Sequence, residues 1–492
     1  MAALSAVSAL RTDGNFMSVK GNADKLGLVG KEFVVDIRDL NNLGAGVGRL
    51  PVVGNGDGLV VFVRGTVSGD VAQIEIIKET SSFCVGRLIR IVTPSPVRDT
   101  EKFCSAPEAC GGCVYRHVTY AHELECKKQR VIRAFRVAGI ADANVLDVLS
   151  TGKTRGYRNK GMYPVAQGKN GMYSGFFASK SHKLIPAENC SLQPEIFSNI
   201  VRAVCDFCNK NAVKAYDEIS GKGLLRHIYL RATAAGEVML CLVINAEDIG
   251  KALRGKLIEY ITERFPAVTG ILLNVNKKST NVVLGDKFLT VWGQAYIEDV
   301  LCGKILRIAP ESFYQVNRDA AELLYNTAAD MADLTGKEHL LDLYCGAGSI
   351  GISMSDKVKS ITGIEIVPEA VECAKLNASL NGLSPDRARF FAGDATDADR
   401  LLSAAEGGGA PKADIAVIDP PRKGTTRELI EAIAKRNINR VVYISCEPET
   451  LARDCAVFRE LGYQMSDVQP VDLFPRTGHV ESVVCLTRRL DN

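Results

Sequence analysis

The chain has 492 residues, too many for one compact core, so two to four domains are expected. Its 46% hydrophobic and 24% charged residues are ordinary for a soluble protein, and a net charge of +3 does not by itself announce a polyanionic partner; local clustering has to do that. Fifteen cysteines argue against a disulfide scaffold and for a reducing, cytoplasmic setting with metal-binding or catalytic thiols, and no apolar run approaches the roughly 20 residues of a membrane-spanning helix.

Residues 1–30, beginning MAALSAVSALRTDGNF, lack a basic leader and a long apolar core and read as a loosely ordered extension. From 31 to about 95, five β-rich runs alternate with glycine turns, a spacing that predicts a small barrel. Barrels of this size often hold single-stranded RNA, but acids nearly balance bases here, so a purely structural barrel stands beside the RNA reading.

Next comes Cys104-x5-Cys110-x2-Cys113, three thiols in a glycine- and proline-containing loop that follows no helix or strand period. Cys126, Cys190, Cys205 and Cys208 are the candidates for a fourth ligand. Cys126 and the pair Cys205/Cys208 fall in amphipathic helical patterns and read more easily as helix-face or core thiols, which leaves Cys190, in the loop IPAENCSLQPE, as the preferred one. An all-thiolate set without histidine suits Zn²⁺ or a [4Fe–4S] cluster equally.

From Ser150 to Ile185 there is no acidic residue, while Lys153, Arg155, Arg158, Lys160, Lys169, Lys180 and Lys183 are interleaved with Tyr157, Tyr163, Tyr173, Phe176 and Phe177. A solvated strand face would mix both signs. Cations that neutralise phosphates, beside aromatic faces that accept unstacked bases, favour nucleic-acid contact over a plain basic hairpin. Residues 224–300 (LLRHIYLRAT, VMLCLVIN, GILLNVN, VVLG) supply further strands and a helix without visible chemistry and read as scaffold, closing a central domain over 96–305.

The last part, 306–492, carries the chemistry. The apolar run Leu340 to Leu343 ends in Cys345-Gly346-Ala347-Gly348-Ser349, a buried parallel strand running into a glycine turn and a helix start. Gly346 and Gly348 let the backbone approach a ligand. Glu365, after a second strand, sits where a carboxylate can accept both ribose hydroxyls. Asp342 before the glycines, and Asp394 after a third strand where it can meet an adenine amino group, favour S-adenosylmethionine over a dinucleotide. IAVIDPPRKG then ends a fourth strand in Asp419-Pro420-Pro421-Arg422, at the carboxyl edge where open α/β folds place their chemistry.

A fifth strand, RVVYIS, ends in Cys446 just ahead of a helix from Glu449 to Leu461. A thiol at a helix N-terminus gains stability as a thiolate. Further on, LFPRTGHVESVVCL offers His479 and Glu481 as alternative general bases. A nucleophilic thiol, a base and a methyl donor belong together for one problem. Uracil C5 is too weak a nucleophile to take a methyl group until a thiolate adds at C6, and a base must then remove the C5 proton. An amino-group methyltransferase needs no such thiol and would show an aromatic residue where Arg422 stands; a cytosine-C5 enzyme would carry a second cysteine in the fourth-strand motif.

From about 31 to 492 the chain resembles the bacterial RNA uracil-5-methyltransferase family, most closely its large-subunit rRNA branch. The barrel (similar to a TRAM domain), C-x5-C-x2-C with a later cysteine, FYQVN, LDLYCGAG, IDPPRKG, SCEPETLARD and FPRTGHVES carry the resemblance. It implies an α/β, Rossmann-like class I methyltransferase domain, preceded by the barrel and a central iron–sulfur α+β domain. It implies a [4Fe–4S] cluster on Cys104, Cys110, Cys113 and Cys190, Cys446 as nucleophile and Glu481 as base. It further implies cofactor contacts from Gln315, Tyr344, Gly346, Gly348, Ser349, Glu365, Asp394 and Asp419, a 23S rRNA substrate, and action as a monomer. Glu447 departs from the asparagine that relatives often carry and puts an acid beside the nucleophile. The tRNA branch generally lacks barrel and cluster, so their presence favours rRNA. A non-enzymatic RNA-binding protein on the same fold is the alternative from another class; the intact Cys446, Glu481 and glycine turn speak against it.

Overall fold

The computed structural model describes residues 26–50, 58–101, 104–106, 109–178, 181–394 and 397–488. The expected extension over 1–30 lies almost wholly outside these residues, as does Lys180 of the acid-free segment. The chain divides into two compact units, one of Met1–Phe103, Cys113–Lys127 and Arg476–Gly478, the other of Cys104–Gly112, Lys128–Pro475 and His479–Asn492.

The first unit is built on a closed barrel of β1 (Glu32–Leu40), β2 (Ala45–Arg49), β3 (Val60–Arg64), β4 (Val71–Glu79) and β5 (Phe83–Thr93), in the order β1-β2-β3-β5-β4. Alternation along the strands turns Val35, Ile37, Val61, Val63, Ile74 and Ile76 inward, all at most 2% exposed. The GAGVG run has a packing reason: a Cβ at Gly46 would stand 2.1 Å from Thr66 Oγ1, and one at Gly48 would stand 2.5 Å from Val35 Cγ1. In the same unit the backbone N–H of Arg476 donates to Glu123 Oε1 at 2.7 Å. The FPRTGHVES motif is thus pinned at its centre.

In the second unit, after helix α1 (Tyr120–Val137), whose last ten residues it holds, come β6 (Lys160–Gly168), β7 (Gly171–Phe177), β8 (Leu184–Pro186), α2 (Glu195–Lys210), β9 (Leu225–Ala232), β10 (Val238–Ile244), α3 (Lys251–Thr262), β11 (Val268–Val275) and β12 (Lys287–Gly293). They form a seven-stranded sheet in the order β12-β11-β10-β9-β6-β7-β8. The expected strand at VVLG is absent: Asn276 Nδ2 donates to the carbonyls of Val282 and Val283, tying that stretch into a loop, and the strand begins at Lys287.

After the hairpin β13 (Ile297–Leu301) and β14 (Lys304–Ile308) and helix α4 (Arg318–Met331), the chain enters an α/β sheet. Its elements are β15 (His339–Leu343), α5 (Ser349–Ser353), β16 (Ser360–Glu365), α6 (Pro368–Leu380), β17 (Ala388–Ala392), α7 (Ala398–Gly407), β18 (Ile415–Ile418), α8 (Arg427–Lys435), β19 (Arg440–Ser445), α9 (Pro448–Glu460), β20 (Tyr463–Met465), β21 (Gln469–Val471) and β22 (Glu481–Arg488). The order is β17-β16-β15-β18-β19-β22-β20, with β21 also on β22; β15 to β19 run parallel and β22 antiparallel. Strand order reverses beside β15, the switch point at which open α/β sheets bind ligands. One buried cluster joins Tyr229, Met239 and Leu272 of the first sheet to Leu340, Val417 and Val442 of the second.

Candidate active site

The carboxyl ends of the parallel strands bring the predicted residues to one edge. Tyr344 follows β15, Glu365 ends β16, Asp394 lies two residues past β17, Asp419 follows β18 and Cys446 follows β19. Strand β22 runs the opposite way, and its register, Ser445 opposite Ser482, sets Glu481 at its first residue across from the end of β19. A thiol and a carboxyl 35 residues apart in sequence thus stand at facing strand ends.

The glycine turn has the form a nucleoside site requires. Gly346 sits at φ +54° and a Cβ there would meet nothing within 4 Å, so its missing side chain leaves open space above the sheet edge. Gly348, at φ +80°, has the opposite reason: a Cβ would stand 2.9 Å from Ile352 Cδ1 and 3.2 Å from Ala374 Cβ. Glu365 Oε2 accepts from the Gly346 N–H at 3.0 Å and Oε1 from the Val367 N–H at 2.9 Å, which fixes the carboxylate beside the turn. Tyr344 holds a left-handed φ of +63°, uncommon for a residue with a side chain, and its hydroxyl pairs with Thr425 Oγ1 at 3.2 Å. Asp394 is exposed, and its charge reaches Tyr344. Gln315 is 8% exposed and bonds the side chain of Tyr325, whose hydroxyl also lies 3.3 Å from Ser349 Oγ. Tyr325 thus links Gln315 to Ser349, the field of Asp419 reaches the same tyrosine, and Glu365 is held at the turn, so hydroxyl donors and carboxylate acceptors gather around the glycines.

The tRNA (uracil-5-)-methyltransferase family matches residues 119–489, and the TRAM domain matches residues 28–89. The chain belongs to that family. An RNA methyltransferase of Clostridium acetobutylicum is 37% identical over 461 residues, 93% of this chain and 97% of the relative. One from Bacillus cereus is 39% identical over 465 residues, 92% and 97% of the two chains. Among solved structures, the Pyrococcus abyssi tRNA (uracil-54, C5)-methyltransferase in complex with S-adenosyl-L-homocysteine matches with a TM-score of 0.73 at 24% identity, over 92% of this chain and all of that one. The protein is thus an S-adenosylmethionine-dependent RNA (uracil-5-)-methyltransferase on an α/β fold with an N-terminal TRAM barrel.

In this uracil-5-methyltransferase family member the thiol does not behave as its place ahead of a helix predicts. Burial pushes the Cys446 thiol up to about 12, and the charges of Glu481 and Asp419 add to the rise, with Arg422 opposing. The helix N-terminus stabilises a thiolate modestly; removal from water and three carboxyl neighbours, Glu447 adding the least, outweigh it. Glu481 is itself raised well above the usual carboxylate range, by burial and then by Asp419. Asp419 is raised by burial to about 7. Neither carboxyl makes a hydrogen bond to any described residue, so both are open to a ligand. Glu447 is answered differently: it is 1% exposed and ion-paired with Arg130 of α1, which also bonds Glu449 at 2.8 Å. His479 is half-buried, stacks edge-on against Phe474 at 5.9 Å and faces Arg422 at 3.4 Å.

Three residues carry no sequence signal of their own. Tyr325 looks like one more apolar position of α4, and Arg130 like a solvated charge of α1. Phe313, within FYQVN, stands 67% exposed just before buried Tyr314 and Gln315, a property that only the folded chain reveals.

Of the candidate ligand thiols, Cys104, Cys110 and Cys190 lie in the second unit and Cys113 in the first. The charges of Cys104 and Cys110 both reach Cys190, so these three sulfurs converge. Cys104 Sγ accepts the Ala106 N–H at 3.4 Å, and Cys190 accepts from the Leu192 N–H, bonds that favour thiolates. Among the described residues no group of three or more His, Cys, Asp or Glu side chains is closed to metal-ligand geometry. The donor chemistry fits a thiolate-bound group, while the set stands open. Cys205 and Cys208, 6% and 3% exposed, pack in the core under α2.

Proposed function

We propose that the chain methylates C5 of a uridine in RNA, in 23S rRNA, through a covalent bond from Cys446 Sγ to uracil C6, with Glu481 as general base. The observation that carries this reading is the cross-strand pairing of the β19 and β22 ends, a thiol opposite a carboxyl, beside the glycine turn. S-adenosylmethionine, held by Gln315, Tyr344, Gly346, Gly348, Ser349, Glu365, Asp394 and Asp419, would supply the methyl group and a positive sulfonium. Beside a cation, Cys446, Asp419 and Glu481 all give up protons more readily. Cys446 then adds to C6, C5 takes the methyl, Glu481 removes the C5 proton, and elimination releases Sγ. The base must leave its stack to reach the sulfur, and exposed Phe313 offers a face for an unstacked base.

We read 31–95 as the RNA-binding barrel, 96–305 as the central domain and 306–492 as the catalytic domain of a monomeric, cytoplasmic enzyme. Cys104, Cys110, Cys113 and Cys190 hold a [4Fe–4S] cluster. Anaerobically purified protein is then brown with about four irons per chain; Cys190→Ser loses the colour and Cys205→Ser keeps it. One zinc without acid-labile sulfide overturns this assignment.

A second reading, tRNA T-loop uridine, stands beside the first. The fold match to the Pyrococcus abyssi enzyme covers 92% of this chain, so the architecture as a whole does not separate rRNA from tRNA. Labelled S-adenosylmethionine offered with 23S rRNA and with tRNA, each from a strain lacking this protein, decides. Label in 5-methyluridine of 23S rRNA is expected; label in tRNA alone exchanges the two readings, and label in neither removes both.

A further inference from the structure

Lys160, the first residue of β6, is paired in register with Arg231 of β9. Two like charges directly opposite on neighbouring strands repel. Arg158, two residues before Lys160, adds a third positive charge that acts on the same lysine. Arg231 is only 2% exposed. Its NH2 donates to Ser312 O at 2.5 Å and its NH1 to Ala309 O at 3.4 Å, while its Nε and that of Arg158 are buried without a partner. None of the three makes an ion pair with any described residue, and Glu311 acts on Arg231 only through its field. Burial and these two arginines also bring Lys160 down to about 8. Folding has assembled a cationic group that the chain itself does not neutralise.

Its place in the fold argues for what does. Asn159, between Arg158 and Lys160, donates from Nδ2 to Gln315 O at 2.9 Å and from its backbone N–H to Val316 O at 2.8 Å. Tyr157 OH donates to Pro475 O at 2.9 Å, and Asn317 Nδ2 to Leu473 O at 3.0 Å. The cations are therefore bolted to the FYQVN loop and to the segment that leads to Glu481. We infer that Arg158, Lys160 and Arg231 form a binding site for one backbone phosphate of the substrate RNA, beside the reacting uridine. The anion supplies the missing counter-charge: it meets the half-buried Lys160 and Arg158 directly, and buried Arg231 acts on it through its field. The inference deepens the proposed function and rests on it.

The test uses Lys160→Gln and Lys160→Arg in the full chain, with an rRNA transcript that the wild-type chain methylates. Lys160→Gln is expected to weaken RNA binding about ten-fold and to lower the slope of log Kd against log salt by about 0.7–1, the share of one phosphate contact. Its RNA-free melting temperature should stay level or rise, because one member of a repelling pair is gone, and S-adenosylmethionine affinity should not change. Lys160→Arg should restore both RNA affinity and slope. Unchanged RNA affinity and slope with a lowered melting temperature would make the group structural and overturn the inference. So would altered iron content with an unchanged slope, since Arg158 also acts on Cys190 and the cations would then serve the thiols. Because the transcript is one that wild type methylates, a null result for Lys160→Gln falls on this site alone; a chain that methylates no RNA overturns the parent reading and this site with it.

Discussion

Cys446 rests as a thiol because burial and three carboxyl neighbours outweigh the helix end behind it, so activation has to arrive with the ligands. A cation entering the cleft binds best to ionised Asp419. Its affinity should therefore rise with pH through about 7, the value to which burial lifts that carboxyl, by up to about ten-fold per pH unit if one proton is released. Titrating S-adenosylmethionine binding by calorimetry from pH 6 to 8 checks this, and Asp419→Asn should bind more weakly and flatten the profile. Glu481 and His479 have different fates in the account. Glu481→Gln still adds the thiol and takes the methyl but cannot remove the C5 proton efficiently, at a rate cost of about 10²–10⁴. It should accumulate a protein–RNA adduct on denaturing gels. His479→Gln should not; the reverse pattern would exchange their roles.

At the scale of elements, the two glycines of the turn are predicted to fail differently. Gly348→Ala forces a Cβ against Ile352 and Ala374 at φ +80°, and should destabilise the fold by ~1–3 kcal/mol. Gly346→Ala meets no atom within 4 Å and carries only the left-handed strain of φ +54°, about 1–2 kcal/mol, so beyond that smaller loss its damage should appear as lost S-adenosylmethionine affinity. Chemical denaturation together with cofactor binding separates the two. Which elements exist was largely legible: the helical pattern around Cys126 is the helix Tyr120–Val137, and the strands expected before CGAG, DPPR and SCEP are found there, because each has a clean period and a sharp stop. VVLG was not legible. Its apolar residues are held in a loop by the side chain of Asn276, a bond between residues six and seven apart that no periodicity encodes.

For the molecule as a whole, the sequence carried the family and the order of motifs, but not the distances between them. That Glu481 faces the end of β19 follows from an antiparallel strand entering a parallel sheet, and that Tyr325 links Gln315 to Ser349 follows from packing. The electrostatic state of Cys446 was only partly legible for the same reason: Glu447 is its neighbour in the chain, but Asp419 and Glu481, which raise it more, come from other strands. What the α/β sheet achieves is a half-buried sulfur and a buried carboxyl across one strand pair, at the carboxyl edge of its parallel strands. The most direct test offers the wild-type chain S-adenosylmethionine and substrate RNA made with 5-fluorouridine, whose C5 fluorine no base can remove. A stable protein–RNA adduct is expected, whose digested peptide carries a methylated fluorouridine on Cys446. No adduct with an RNA that is otherwise methylated, or an adduct on another cysteine, would contradict it.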